Sequence, residues 1–253
     1  MLPLQQQHNH HPFPISGYTL TLQQVNIRCT LYIMKSETTP VQKMLNVWAI
    51  SVILWSLYRI YFQTELPMWF DEFIAKPLIF LVPLHYFITR IEKKSFLKSV
   101  DLKTKNWRSA LLFGCIAGVI FLGTGLVMTG LRNGGLGALV AVQTPMMILY
   151  YILIALATSV SEEILSRGFV LKRLYSDSKN MYTAVLYSSL LFFVLHIPIL
   201  FTNPDLHGVL LLQVMVTDIL LSVAVSFLYL QKKSLLVPII IHACYILSLY
   251  LFL

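Results

Sequence analysis

Ser159-Val160-Ser161-Glu162-Glu163-Ile164-Leu165-Ser166-Arg167-Gly168 is the stretch on which the reading of this chain turns. It closes a long apolar run, Gln143 to Val160, and places two adjacent carboxylates and a guanidinium within six residues. A charged Asp, Lys or Arg at the centre of a membrane helix costs about 2.5 to 3.5 kcal/mol, so three such groups at the end of an apolar run need a reason. On a helix Glu163 and Arg167 are four apart and face each other, which lets them pair. Glu162 points about 100° away. One carboxylate therefore reads as structural and the other as free for chemistry.

Composition agrees with a chain that sits mostly in lipid. Of 253 residues, 57% are hydrophobic and 12% charged, where a soluble domain carries about 25% charged residues. The net charge of +8 invites a nucleic-acid partner, but the basic residues cluster between apolar runs, as the positive-inside rule requires. No nucleic acid is expected; membrane lipid is. Cys29, Cys115 and Cys244 show no disulfide or zinc-type spacing.

The apolar runs cover 45–62, 73–89, 109–129, 138–161, 182–201, 209–230 and 235–253. Most approach the ~20 residues of a spanning helix; the second is interrupted by Lys76, Pro77 and Pro83. The expected fold is all-α, a polytopic transmembrane bundle of about seven spans. Lys35 and Lys43 precede the first run. The second connection carries Arg90, Lys93, Lys94, Lys98, Lys103, Lys105 and Arg108, the fourth Lys172, Arg173 and Lys179, the sixth Lys232 and Lys233. Odd connections hold far fewer, with Arg59 and Arg132 the exceptions. This alternation puts the N-terminus in the cytoplasm.

Residues 1–33 differ in character. Gln5-Gln6-Gln7-His8-Asn9-His10-His11-Pro12 is polar and biased, without the basic start and apolar core of a signal peptide. It reads as a poorly ordered extension, and Met34-Lys35-Ser36-Glu37 as a second natural beginning. The division expected is an extension over 1–33, N-terminal transmembrane helices over 34–137, and a catalytic bundle over 138–253.

In the last four spans the polar groups at membrane depth are Glu162, Glu163, Arg167, His196, Asp218 and His242. His196 ends Phe192-Phe193-Val194-Leu195-His196, and His242 follows Pro238-Ile239-Ile240-Ile241. A lone histidine in an apolar run is ordinarily a hydrogen-bonded core residue. Two of them with a spare carboxylate, on three spans, make an acid/base or metal-ligand constellation instead. Glu163–Arg167 suits either a structural ion pair or a contact to substrate, and Asp218 either a partner for a histidine or a structural group.

These residues resemble the three motifs of the CPBP family of intramembrane proteases, which includes CAAX prenyl endopeptidases and the Abi and bacteriocin-immunity proteins. The first motif, two glutamates, three residues and an arginine, matches Glu162 to Arg167, followed by Gly168. The second, phenylalanine, three residues and histidine, matches Phe192 to His196. The third is His242 after Leu236-Val237-Pro238. The resemblance covers roughly 138–253 and implies hydrolysis of a peptide bond in a membrane-associated or prenylated peptide or small membrane protein. It assigns catalysis to Glu162, Glu163, His196 and His242, with Arg167 and Phe192 in support. Glu162 would act on a water that His196 holds, and His242 would stabilise the oxyanion or protonate the leaving amine. Glu162, His196 and His242 are also the candidate ligands if zinc takes part, as a three-ligand site with an open position; no cofactor is certain, and metal-free activation is the preferred reading. A bacterial plasma membrane is the expected setting, since the chain is closest in size to the Abi type.

One position departs from the family pattern. Four residues after the third-motif histidine, where an asparagine or aspartate is usual, stands Ile246. Losing one oxyanion donor lowers the rate by about 100- to 1000-fold elsewhere. Two other readings follow from this and from the buried charges: a catalytically silent bacteriocin self-immunity protein, and a small proton-coupled carrier, against which the lack of internal repeats counts.

Overall fold

The computed structural model describes residues 38–62, 66–102, 106–132, 144–202 and 207–252. The expected extension over 1–33, the second beginning at Met34, and Lys35, Lys103 and Lys105 lie outside the described residues. Every regular element among those described is a helix.

Helix α1 spans Pro40–Phe62. Thr39 starts it with a reciprocal cap: its hydroxyl accepts from the Gln42 amide at 3.2 Å, and the Gln42 side chain accepts from the Thr39 amide at 2.8 Å. Pro40 suits the first turn, where its missing N–H has no bond to lose. Helix α2, Met68–Ile91, widens to i→i+5 turns at Asp71–Ala75, just before Pro77. A proline ring clashes with the carbonyl four residues back, and a wider turn accommodates it. A short α3, Phe96–Ser99, leads to α4, Trp107–Arg132. Thr144 caps α5, Pro145–Ser178, accepting from the Met147 amide at 3.3 Å. Then follow α6 (Met181–Thr202), α7 (Gly208–Lys232) and α8 (Leu236–Phe252).

Six of these, α1, α2, α4, α5, α6 and α7, are long and apolar enough to cross a membrane; α8 is a shorter apolar helix. The all-α class holds, and over their described residues the seven apolar runs each correspond to a helix. The fourth run differs most. The sequence ends it at Ser161, yet α5 continues unbroken to Ser178, through the carboxylates and the arginine. It does so because these groups are turned into the protein: every residue from Ser161 to Leu171 is buried.

Helix α8 packs against α4, α5 and α7. Its contact with α4 is close because Gly114 and Gly118 face it: a Cβ at Gly118 would come within 2.6 Å of Cys244 Sγ, and one at Gly114 within 3.0 Å of Ile240 Cδ1. Small residues four apart let membrane helices approach in this way. On the outside, Ile53, Leu112, Ile116, Val119, Leu186 and Leu220 are exposed, the surface that hydrocarbon requires of a bundle whose backbone bonds are satisfied within each helix.

The ends of the helices sort by charge. Arg173 donates twice to Glu92, at 3.1 and 2.6 Å. Lys172 donates to Asp101 at 2.7 Å, and the Tyr229 hydroxyl to the other oxygen of Asp101 at 2.7 Å. These bonds gather the connections after α2, α5 and α7 on one face, those the sequence marks as basic. Arg59, by contrast, lies 3.7 Å from Asp71 and 3.4 Å from the Thr202 hydroxyl, tying the end of α1 to the start of α2 and the end of α6.

Candidate active site

The two sides of the α5–α6 hairpin bring the first two motifs together. Glu162 lies sixteen residues before Ser178 and His196 fifteen after Met181, about 24 and 22 Å at 1.5 Å per residue. They are therefore level. Measuring depth from the basic residues, with Lys172 taken as a helix end, puts His196 deeper than Glu162. That difference vanishes because Lys172 is inside α5, and the turn falls between Ser178 and Met181.

Glu162 is buried at 5% exposure and His242 at 2%. Oε2 of Glu162 lies 3.3 Å from Nε2 of His196 and 3.8 Å from Nε2 of His242. Each imidazole is anchored through its other nitrogen: Nδ1 of His196 bonds the Phe192 carbonyl at 3.0 Å, and Nδ1 of His242 bonds Oε1 of Glu163 at 2.7 Å. A protonated Nδ1 donates in both, leaving each Nε2 turned toward Glu162. With the proton on Nδ1, neither imidazole donates to Oε2 of Glu162, which lies 3.3 Å from the nearer Nε2. An unpaired carboxylate oxygen between two imidazole nitrogens is a place for a water to be held and deprotonated.

Glu163 and Arg167 pair as their spacing requires, Nη1 to Oε1 at 2.9 Å, with both side chains fully buried. Nη2 of Arg167 donates to the Ser222 hydroxyl at 2.7 Å and its carbonyl at 3.2 Å. The guanidinium lies 4.3 Å from the centre of the Phe192 ring, whose centroid is 4.5 Å from that of His196 and 5.7 Å from that of His242. Phe192 is thus a spacer between the arginine and both histidines. The i→i+5 widening at Ile164–Leu171 begins directly after Glu163.

Two groups near the site are not among the candidates read from the sequence. The first is Lys76 of α2. Its Nζ is 2.9 Å from Oε1 of Glu162 and 2.5 Å from Oε2 of Glu72, and Thr158 donates to that Glu72 oxygen at 2.6 Å. Glu162 is therefore not left without a cation, as its angle from Arg167 suggests. The sequence offered a signal, since Glu72 and Lys76 are themselves charges four apart beside an apolar run. The second is Tyr245, whose hydroxyl donates to Asp218 at 2.8 Å and lies 2.8 Å from the Thr217 hydroxyl. Asp218 faces this tyrosine rather than bonding a histidine.

Glu162, Lys76, His196, Asp218, His242 and Ile246 all border one cavity of about 240 Å³, otherwise mostly apolar. Ile246 is 8% exposed and presents a hydrocarbon surface where an amide would offer a donor. As a metal site the set has the right order, two anchored imidazoles and a carboxylate. Among the described residues no group of three His, Cys, Asp or Glu side chains has the arrangement of a metal site, and the Lys76 ammonium adds positive charge at the same carboxylate. The arrangement fits a water held among the three groups.

The sequence family described as type II CAAX prenyl endopeptidase Rce1-like matches residues 144–247. No curated protein and no solved structure matched the chain. The matched segment runs from the cap of α5 into α8 and contains all three motifs, with every side chain of the Glu162–His196–His242 cluster inside it. Over residues 144–247 the chain is thus similar to the Rce1-like type II CAAX prenyl endopeptidases, within the CPBP family that its motifs resemble.

Proposed function

We propose that this protein is an intramembrane endopeptidase that hydrolyses a peptide bond in a membrane-associated or prenylated peptide, in the plasma membrane of a bacterial cell. The observation that supports it best is the free Oε2 of Glu162 between the two Nε2 atoms, on three different helices and at the edge of an apolar cavity. Glu162 takes a proton from a water that His196 holds by Nε2, and the hydroxide adds to the scissile carbonyl. His242 meets the oxyanion through Nε2 when that nitrogen carries a proton, with Glu163 compensating the imidazolium charge at Nδ1. Collapse of the tetrahedral intermediate breaks the C–N bond, and the proton first taken by Glu162 passes to the leaving amine. No step is routed through a metal.

Cleavage of prenylated and leader peptides by the purified chain in detergent tests this. Glu162→Gln keeps the shape and a hydrogen-bonding group but not the base, and is expected to lower kcat at least ~100-fold, the lower range for a positioned acid/base group. Activity that survives a strong chelator is expected; its complete loss, restored by added zinc, would move Glu162, His196 and His242 to the role of ligands. Wild-type protein that cleaves nothing while still folded defeats the proposal.

A second reading is supported by Ile246: a protein of the same fold that binds a bacteriocin or its receptor without hydrolysing it. Ile246→Asn separates the two. In a working protease the added amide is expected to raise kcat by ~10-fold or more, within the worth of one oxyanion donor. An inactive wild type that protects cells, and still protects as Glu162→Gln, establishes immunity by binding alone.

A further inference from the structure

Lys76 is 3% exposed and lies in α2, outside the matched segment 144–247. A buried ammonium needs compensation; here it is shared by two carboxylates, Glu72 on its own helix and Glu162 on α5. It also lies 5.3 Å from the centre of the Trp55 ring on α1. The pair engages one oxygen of Glu162 and not the other. Oε1 takes the ammonium, and Oε2 is left unbonded toward His196 and His242. The last torsion of a glutamate is soft and nearly two-fold. Without an anchor on one oxygen, the carboxylate rotates and draws either oxygen away from the imidazoles.

We propose that Lys76 is the positioning residue of Glu162, fixing the carboxylate so that its free oxygen meets the water between the histidines. The inference rests on the reading of Glu162 as the base. It makes the N-terminal helices part of the catalytic apparatus, because the family segment alone lacks this anchor. Glu72, with the Thr158 hydroxyl on it, holds the far side of the ammonium and so sets where Nζ sits.

The test uses the full chain in detergent with a peptide that the wild type cleaves. Lys76→Met keeps the length and removes the charge, Lys76→Gln keeps a donor without the charge, and Lys76→Arg keeps the charge. Both neutral variants are expected to lower kcat by ~30- to 100-fold, the scale of a misplacement of about 1 Å, with KM within about twofold of wild type. Lys76→Arg is expected to return kcat to within about tenfold. A folded neutral variant with wild-type kcat, alongside an inactive Glu162→Gln, overturns the role of Lys76 and leaves the protease reading intact. Failure of both neutral variants to fold makes the ion pair structural and also overturns it. A wild type that cleaves nothing removes the base and the positioning role together, a result distinct from the other two.

Discussion

At the scale of the residue, Glu163 joins two of the three motifs. One of its oxygens serves both Arg167 and Nδ1 of His242, so a single carboxylate ties the first motif to the third. Removing one partner of a buried ion pair destabilises by about 3 to 5 kcal/mol, because the other charge is left uncompensated. Glu163→Gln is therefore expected to lower the thermal unfolding temperature in detergent, and to lower kcat through His242 even in the fraction that stays folded. Arg167→Met gives the independent comparison: it leaves His242 its bond to Glu163, so for equal loss of stability it is expected to lower kcat less. Equal kcat losses would place the effect in folding rather than in the imidazole. The pairing of Glu163 with Arg167 was legible from four-residue spacing. Its bond to His242 was not, since the two are 79 residues apart and only the packing of α8 on α5 joins them. Lys76 stood in plain view as an interruption of the second apolar run. A charge at that depth asks for a partner, and a search for polar groups confined to the last four spans passes over it.

At the scale of the element, the close contact of α4 and α8 sets where His242 lies. Gly118 touches Cys244, two residues beyond the histidine, with no room for a methyl group: the added Cβ would meet Sγ at 2.6 Å and the Cys244 Cβ at 3.2 Å. Overpacking of this kind costs about 1 to 3 kcal/mol. Gly118→Ala is expected to destabilise by that amount and to reduce cleavage, because α8 must shift to relieve it. Adding Cys244→Ala removes the sulfur and is expected to recover most of both. A double variant no better than the single one would show that the two helices do not meet there. Apolar periods located these elements well, since a spanning helix is fixed by length and hydropathy. They misplaced the end of α5, where hydropathy falls but burial does not. The charges of Glu162, Glu163 and Arg167 end an apolar run without ending a helix, because each has its partner inside the bundle.

At the scale of the whole molecule, the charge alternation in the sequence and the ion pairs in the fold assign the same connections to one end of the bundle. Composition gives seven runs with basic second, fourth and sixth connections; the fold draws Glu92, Asp101, Lys172, Arg173 and Tyr229 together at one end. Asp101 and Glu92 neutralise cations there without reversing the excess of Lys and Arg that orients a chain. The opposite end holds Arg59, Asp71 and Thr202. Orientation itself is a property of the chain in its membrane, and labelling decides it. With the native cysteines replaced, Lys94→Cys sits at an exposed position of the basic face, its side chain 65% accessible, and His207→Cys at an exposed position before α7. In intact cells a membrane-impermeant maleimide is expected to modify His207→Cys and to spare Lys94→Cys; after permeabilisation both should react. The reverse pattern would put the basic face outside and turn the bundle over.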